Sequence, residues 1–245
     1  MKTVLITGAN KSIGFETARQ LLQQGYYVFL GSRDMQKGQQ AVSQLQAEGL
    51  NQVEPIEIDV DDSKSIKAAR EELGQKIDTL DVLINNAGIS GTMPQTSLET
   101  DITVFKQVFD TNFFGVIEVT QAFIDLMKNS PEPRIVNVTS GLGSLTLHND
   151  PSWKHYQVKP ISYVASKAAL NAYTIVLAYD LRDTSFKVNA VDPGYTATDF
   201  NNHSGPGTVP DAAARVVKAA VLRPDGPTGQ FFSDDNVPET GISPW

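Results

Sequence analysis

The sequence predicts an α/β protein, a single domain built on a parallel sheet of about seven strands with helices on both faces. Two observations carry that reading. Short apolar or β-branched runs alternate with longer helix-like stretches along the whole chain, and strands joined by helical crossovers run parallel. The first run, Thr3-Val4-Leu5-Ile6-Thr7, ends in a glycine turn that opens a helix-like stretch, as a buried strand does at the start of a βαβ unit. The chain has 245 residues and no composition shift that would mark a linker. Residues 1–245 are therefore expected to form one domain.

The elements follow in order. After the first strand, Ile13, Ala18, Leu21 and Leu22 keep helical spacing up to a stop at Gly25. The unit then repeats: strand 26–30, helix 35–48 closed by Gly49, strand 53–58, helix 63–76, strand 80–84, a long helical span 102–127 and strand 134–138. A long loop over 141–160 precedes a helix over 162–181, a sixth strand over 187–191, a helix over 211–222 and a last strand over 230–232. In sheets of this kind ligands bind beyond the carboxyl ends of the strands.

Composition narrows the function. Hydrophobic residues make up 40% and charged residues 20% of the chain, as in globular proteins. A net charge of −8 argues against nucleic acid or an anionic membrane as partner. The absence of cysteine removes disulfides, thiol nucleophiles and cysteine-based zinc sites. His148, His155 and His203 lack metal-ligand spacing and read as solvated loop residues, so no metal site is expected. No stretch reads as a signal peptide or as long enough to span a membrane, and a soluble cytoplasmic protein is the expectation.

Two stretches carry chemistry on their own residues. Thr7-Gly8-Ala9-Asn10-Lys11-Ser12-Ile13-Gly14 lies between a strand and a helix. There Gly8 permits a tight turn, Gly14 permits close helix packing, and the helix N-terminus offers unpaired N–H groups to a pyrophosphate. This makes the sheet a Rossmann-type, doubly wound one. Tyr163-Val164-Ala165-Ser166-Lys167 opens the helix over 162–181, and residues four apart share a helix face. An ammonium about 4.5 Å from a phenol, at an effective dielectric of about 20, is worth roughly 3.7 kcal/mol. Bringing a phenol to neutrality needs roughly 4 kcal/mol. Lys167 is thus expected to lower the Tyr163 pKa until the tyrosine can give and take a proton near neutral pH.

At the end of the second strand stands Gly31-Ser32-Arg33-Asp34. A carboxylate there would accept the ribose hydroxyls of NAD and repel a 2′-phosphate. Ser32 takes that place, and Arg33, with Lys11, could clamp a 2′-phosphate. The expected cofactor is NADP(H); the other reading makes Asp34 the ribose acceptor.

With these motifs, and with Asn85-Asn86-Ala87-Gly88 after the fourth strand, the chain resembles the short-chain dehydrogenase/reductase family over nearly its whole length. The resemblance implies that Gly8, Asn10, Lys11, Ser12, Ile13, Gly14 and Arg33 hold the cofactor. It implies that Asp59, beside Val60, bonds the adenine and that Asn86, Ala87 and Gly88 line the cofactor and steady the sheet. Asn112 would hold a water near the lysine, Ser140 would hydrogen-bond the substrate oxygen, and Tyr163 and Lys167 would complete the catalytic set. Lys167 would also hold the nicotinamide ribose, and Pro193, Gly194, Thr196 and Thr198 would fix the nicotinamide amide.

The implied activity is reduction of a ketone or aldehyde by NADPH, with Tyr163 as general acid; a carbonyl reductase-like ending, Gly226 to Ser233, points the same way. Two readings stay open beside it: oxidation of a sterol, sugar or acyl-linked alcohol, and a silent NADP-sensing regulator. Two features depart from the family pattern. Ser12 stands where glycine is usual, and the interval from Ser140 to Tyr163 is longer than usual. That extra segment, about 141–160, and the segment 195–209 are expected to be substrate loops. A homo-oligomer and a monomer are both open.

Overall fold

The computed structural model describes all 245 residues. Seven strands, β1 (Thr3–Ile6), β2 (Tyr27–Ser32), β3 (Val53–Glu57), β4 (Val82–Asn85), β5 (Arg134–Val138), β6 (Lys187–Val191) and β7 (Phe231–Phe232), form one sheet. They lie in the order β3-β2-β1-β4-β5-β6-β7 and every pair is parallel. The order reverses between β1 and β4, and that switch point is where a doubly wound sheet opens a crevice at its carboxyl edge.

Helices cover both faces because the strands are apolar on both. Val4 and Ile6 of β1 belong to one buried cluster with Leu21 of α1 (Ser12–Gln23), Leu45 of α2 (Met35–Ala47) and Val216 of α8 (Val209–Ala220). Leu5, between them, points the other way as alternate strand residues must. It joins Leu73 of α3 (Ser63–Lys76), Phe123 of α5 (Gly115–Met127) and Ala178 of α7 (Ile161–Asp180). Three caps fix helix starts: Asp34 accepts from Lys37 N, Asp62 from Lys64 N and Thr208 from Asp211 N, each cap contributing about 1 kcal/mol.

Several expectations need correction. The helical span 102–127 is present with the ends expected of it, but it is not α-helical throughout. It is α4 (Ile102–Phe109), a π-helical turn over Asp110–Phe114, and α5. The segment 141–160 is not structureless: a 3-10 turn (Gly141–Gly143) and the short α6 (Leu145–His148) fall within it. Its Trp153 is buried and donates to Asn236 Oδ1 at 3.1 Å, and Thr146 N donates to the Trp245 carbonyl at 3.0 Å. The segment therefore docks on the chain's own C-terminal tail.

His148 is partly buried rather than solvated, with Nε2 2.9 Å from the Leu142 carbonyl, and burial lowers its pKa. His155 packs edge-on against Trp153. Only His203 is a largely exposed loop residue, paired with Asp199 at 3.0 Å. The reading that no stretch reaches membrane-spanning length also fails: α7 is 20 residues long and apolar enough. Packing explains its apolarity, since this helix lies on the sheet and has 44% of its most apolar window buried.

Candidate active site

The carboxyl edge of β1, β4, β5 and β6 collects the residues picked out in the sequence. The glycine turn after β1 is packed down on the turn after β4. A Cβ on Gly8 would come within 3.0 Å of Ala87 Cα, and one on Gly14 within 2.5 Å of Asn86 Nδ2. Asn86 Nδ2 donates to the carbonyls of Thr7 and Gly8 at 2.9 and 3.0 Å, and Thr7 Oγ1 accepts from Asn86 N and Ala87 N. Asn86 thus spends its side chain on holding the glycine turn. Ser12 takes φ +52°, the left-handed conformation that glycine adopts freely and that costs an L-residue about 1–2 kcal/mol. Serine occupies the middle glycine position by accepting glycine's backbone geometry. No side chain caps α1, whose N-cap residue Lys11 is extended, so its first N–H groups face the turn without a side-chain partner.

At the end of β2, Ser32 is buried and its hydroxyl turns back to the Asp34 carbonyl at 2.9 Å. Asp34 is committed as the cap of α2. Arg33 is left as the exposed cation of this edge. Lys11, across the turn, pairs with Asp199 of the 195–209 segment at 3.1 Å. Asp59 lies two residues beyond β3 and accepts from Asp61 N at 3.1 Å, while Val60 packs its carbonyl against Gly115, where a Cβ would come within 2.5 Å.

Ser140, Tyr163 and Lys167 come together where β5 meets α7. Lys167, 4% exposed, donates from Nζ to the Val138 carbonyl at 2.9 Å, and Nζ lies 5.8 Å from the centre of the Tyr163 ring. Ser140 caps the 3-10 turn by accepting from Leu142 N at 3.2 Å, and its hydroxyl lies near enough to the Tyr163 phenol to favour the phenolate. The expected lowering of the phenol is not what this arrangement produces. Burial pushes Tyr163 above its ordinary value, outweighing the hydrogen bond from Ser140, with the buried Asp192 raising it further. Burial also lowers Lys167, to about 8. Lys167 is shut away from water while Tyr163 is half-buried, and the ammonium is turned to the Val138 carbonyl.

Asn112 sits in the π-helical turn, fully buried. Its Oδ1 accepts from Ile89 N at 2.8 Å, and its Nδ2 donates to the Ile89 carbonyl at 2.9 Å and to Ser166 Oγ at 3.0 Å. Gly88 lies between this amide and the lysine: a Cβ there would be 3.3 Å from Asn112 Oδ1 and 3.6 Å from Lys167 Nζ. Pro193 and Gly194 follow β6, held by Arg215 on the Pro193 carbonyl at 2.8 Å and by Asp192 accepting from Gly194 N at 2.9 Å. Thr196 and Thr198 are buried beside them. Asn10 and Ile13 remain on the glycine turn and at the start of α1, half-buried.

The structure adds Phe200 and Asp192 to the residues singled out in the sequence and brings the two expected substrate segments together. Phe200 packs its ring on that of Tyr163 with centres 5.6 Å apart. Trp153, His155 and Tyr195 form an edge-to-face series from the 141–160 segment to the 195–209 segment. Asp192 joins the end of β6 to the tail by accepting from Ser233 Oγ at 2.7 Å. The contacts of Tyr163 with Phe200, of His155 with Tyr195 and of Asp192 with Ser233 join residues far apart in sequence, and no local pattern announces them.

Comparison with known proteins agrees with this geometry. The family model described as short chain dehydrogenase matches residues 2–208. A short-chain dehydrogenase named anuI, from Penicillium roqueforti (strain FM164), is 37% identical over 242 residues, spanning 95% of this chain and 94% of the relative. The (+)-neomenthol dehydrogenase of Capsicum annuum is 32% identical, covering 93% and 94% respectively. The NADPH-bound carbonyl reductase from chicken fatty liver superposes with a TM-score of 0.85 at 27% identity, over 100% of this chain and 99% of that one. The chain therefore belongs to the short-chain dehydrogenase/reductase family of nicotinamide-dependent oxidoreductases.

Proposed function

We propose that this protein is an NADPH-dependent carbonyl reductase that converts a ketone or aldehyde to an alcohol, with Tyr163 as the proton donor. The observation that carries the reading is the meeting of Ser140, Tyr163 and Lys167 at the carboxyl edge of the sheet. The same site serves both directions, and the preference for NADP(H) expected of Arg33 is what leans towards reduction. A silent NADP-sensing regulator has no use for the assembled triad.

The residues fit the cofactor. The uncapped N-terminus of α1 and the turn over Gly8, Asn10, Lys11, Ser12, Ile13 and Gly14 would hold the pyrophosphate. Arg33 would take the 2′-phosphate, because Ser32 and Asp34 are engaged within their own loop. Asp59 with Val60 would flank the adenine, and Ala87 and Gly88 would line the dinucleotide that Asn86 holds in shape. Pro193, Gly194, Thr196 and Thr198 would hold the nicotinamide end. When bound, NADPH supplies the hydride for the carbonyl carbon.

As the carbonyl oxygen gains charge, the Ser140 hydroxyl donates a hydrogen bond to it and the Tyr163 hydroxyl donates the proton. Losing one such donor typically costs on the order of a hundredfold or more in turnover. Lys167, still charged at neutral pH with a pKa of about 8, would bond the nicotinamide ribose. Asn112 keeps Gly88–Ile89 against α7 and would complete the proton path by a water. The segments 141–160 and 195–209 would form the substrate mouth, a role supported by Phe200 on Tyr163 and by the aromatic series Trp153–His155–Tyr195. The names of the relatives, a neomenthol dehydrogenase and a carbonyl reductase, support a carbonyl or secondary alcohol as substrate.

The test is NADPH oxidation against a panel of aldehydes, ketones, β-ketoesters and quinones, with NADH as control. Tyr163→Phe should abolish turnover and keep NADPH binding. Substantial residual turnover in that variant, or no reduction of any carbonyl by wild type, would refute the assignment.

A further inference from the structure

We infer that Gln95 is a positioning residue for the reaction, one that sets the first turn of α7 and with it the placement of Tyr163. The inference rests on the carbonyl reductase reading for its consequence, but its structural content stands on contacts alone. Tyr163 lies in the first turn of α7, and the residue at the N-cap is Pro160, which supplies no side-chain bond. A helix start needs acceptors for its first N–H groups. Here the acceptor arrives from another element. Gln95 Oε1 accepts from Ser162 N at 2.9 Å and from Ser162 Oγ at 2.7 Å.

The other end of the same amide is equally engaged. Gln95 Nε2 donates to the Ser90 carbonyl at 2.8 Å and to the Thr92 carbonyl at 3.3 Å. The side chain is 9% exposed, so these bonds are made where water competes little, and an amide losing them would be costly to leave buried. Gly91 makes the fold-back feasible. At φ +75° it takes a turn open to glycine, and a Cβ there would meet Gln95 Nε2 at 3.0 Å and Val108 Cγ2 at 2.7 Å.

Asn112 repeats the device one helical turn further on. It bonds both backbone groups of Ile89 and the hydroxyl of Ser166. Ser162 and Ser166, both fully buried, are four apart and share a face of α7. Two amides, from two different elements, therefore staple the segment 89–95 to one face of the helix, at positions that flank Tyr163. That segment leaves directly from Gly88, which lies beside Lys167 Nζ. The Gln95 staple consequently couples the register of the proton donor to the backbone that lines the nicotinamide end of the site. A displacement of about 1 Å in such a group can cost on the order of a hundredfold in rate.

The experiment compares wild type with Gln95→Met and Gln95→Glu, by steady-state kinetics across pH, NADPH dissociation constant and amide hydrogen exchange. Methionine removes both halves of the staple at similar volume. Glutamate keeps the acceptor for Ser162 and, when ionised, turns a second acceptor toward the Ser90 and Thr92 carbonyls; protonated, it can donate to them. We expect Gln95→Met to lose at least tenfold in kcat with the NADPH dissociation constant within about twofold of wild type, by the cost of misplacement above. Exchange should rise selectively in residues 89–96 and 160–167. Gln95→Glu should recover toward wild type as pH is lowered.

A fall in melting temperature with wild-type kcat would overturn the inference, leaving Gln95 a structural cap only. So would a kcat loss matched by an equal loss of NADPH affinity, or unchanged exchange at residues 160–167. If wild type reduces no carbonyl while Gln95→Met still loosens those two segments selectively, the staple stands and the carbonyl reductase reading falls.

Discussion

Replacing Lys167 with methionine should make the protein more stable while abolishing its turnover. The side chain is 4% exposed, and burial alone lowers its ammonium from 10.5 to about 8. At neutral pH the group is charged in the folded and the unfolded chain. A lowering of roughly 2.5 units at 1.36 kcal/mol per unit then sets the cost of its burial at roughly 3 kcal/mol. Methionine removes that charge at similar length. It also leaves the Val138 carbonyl, which accepts from Nζ at 2.9 Å, without a partner, at a cost of about 1–2 kcal/mol. The balance is about 1–2 kcal/mol in favour of the variant, a rise in Tm of about 2–8 °C for a chain of this size.

The pH dependence carries the sign of the argument. Because the folded-state pKa lies below the unfolded one, the penalty is complete below about 8, where both states hold the proton. Between about 8 and 10.5 the folded protein releases the proton while the unfolded chain retains it, so wild type gains stability as pH rises and the variant's advantage shrinks. The assay is thermal unfolding of both proteins without added nucleotide, near neutral pH and again near the upper end of that window, together with carbonyl reduction. A variant less stable than wild type at neutral pH, or an advantage that does not shrink with rising pH, would refute the account of Lys167 as a charge buried for function.

Other changes have equally defined outcomes. Arg33→Ala should raise the KM for NADPH by about 10- to 100-fold, the worth of a charge-assisted bond of about 1.5–3 kcal/mol, and leave that for NADH unchanged; an unaltered ratio between the two would remove Arg33 from the 2′-phosphate site. Trp153→Ala should cost about 3 kcal/mol in urea unfolding, because the ring is buried and its Nε1 bonds Asn236, and should raise the KM for the ketone. Wild-type stability in that variant would mean that the 141–160 segment is a detachable surface loop.

Much of the fold was legible because its signals are local. The β-branched runs, the helical periodicity and the stops at Gly25 and Gly49 each need only a few neighbouring residues, and they located all seven strands. The boundaries that moved did so where packing overrides propensity. Nothing in the apolar spacing of 102–127 distinguishes a regular α-helix from one with a π-helical turn at Asp110–Phe114, where Asn112 reaches the backbone of Ile89 and the hydroxyl of Ser166. The segment 141–160 read as a loop because its α6 is a single turn and its anchor is the C-terminal tail.

For the site, the sequence by itself determined which groups are present: a glycine turn at the first strand, an arginine followed by Asp34 after the second, a serine after the fifth, and a tyrosine and lysine four apart; that Asp34 is taken up as the cap of α2 came from the structure. It also determined that Tyr163 and Lys167 share a helix face, since 3.6 residues per turn requires it. Only the tertiary structure decided what those groups do to one another. Sequence spacing put an ammonium near a phenol and suggested that the phenol falls in pKa; burial of both, with the ammonium on the Val138 carbonyl, drives it upward. Likewise the residue that bonds the start of the catalytic helix, Gln95, lies 67 positions from Ser162. The physical reason is the same in both cases: desolvation and long-range hydrogen bonds depend on what the whole chain brings to a point, and a sequence window contains only what lies beside it.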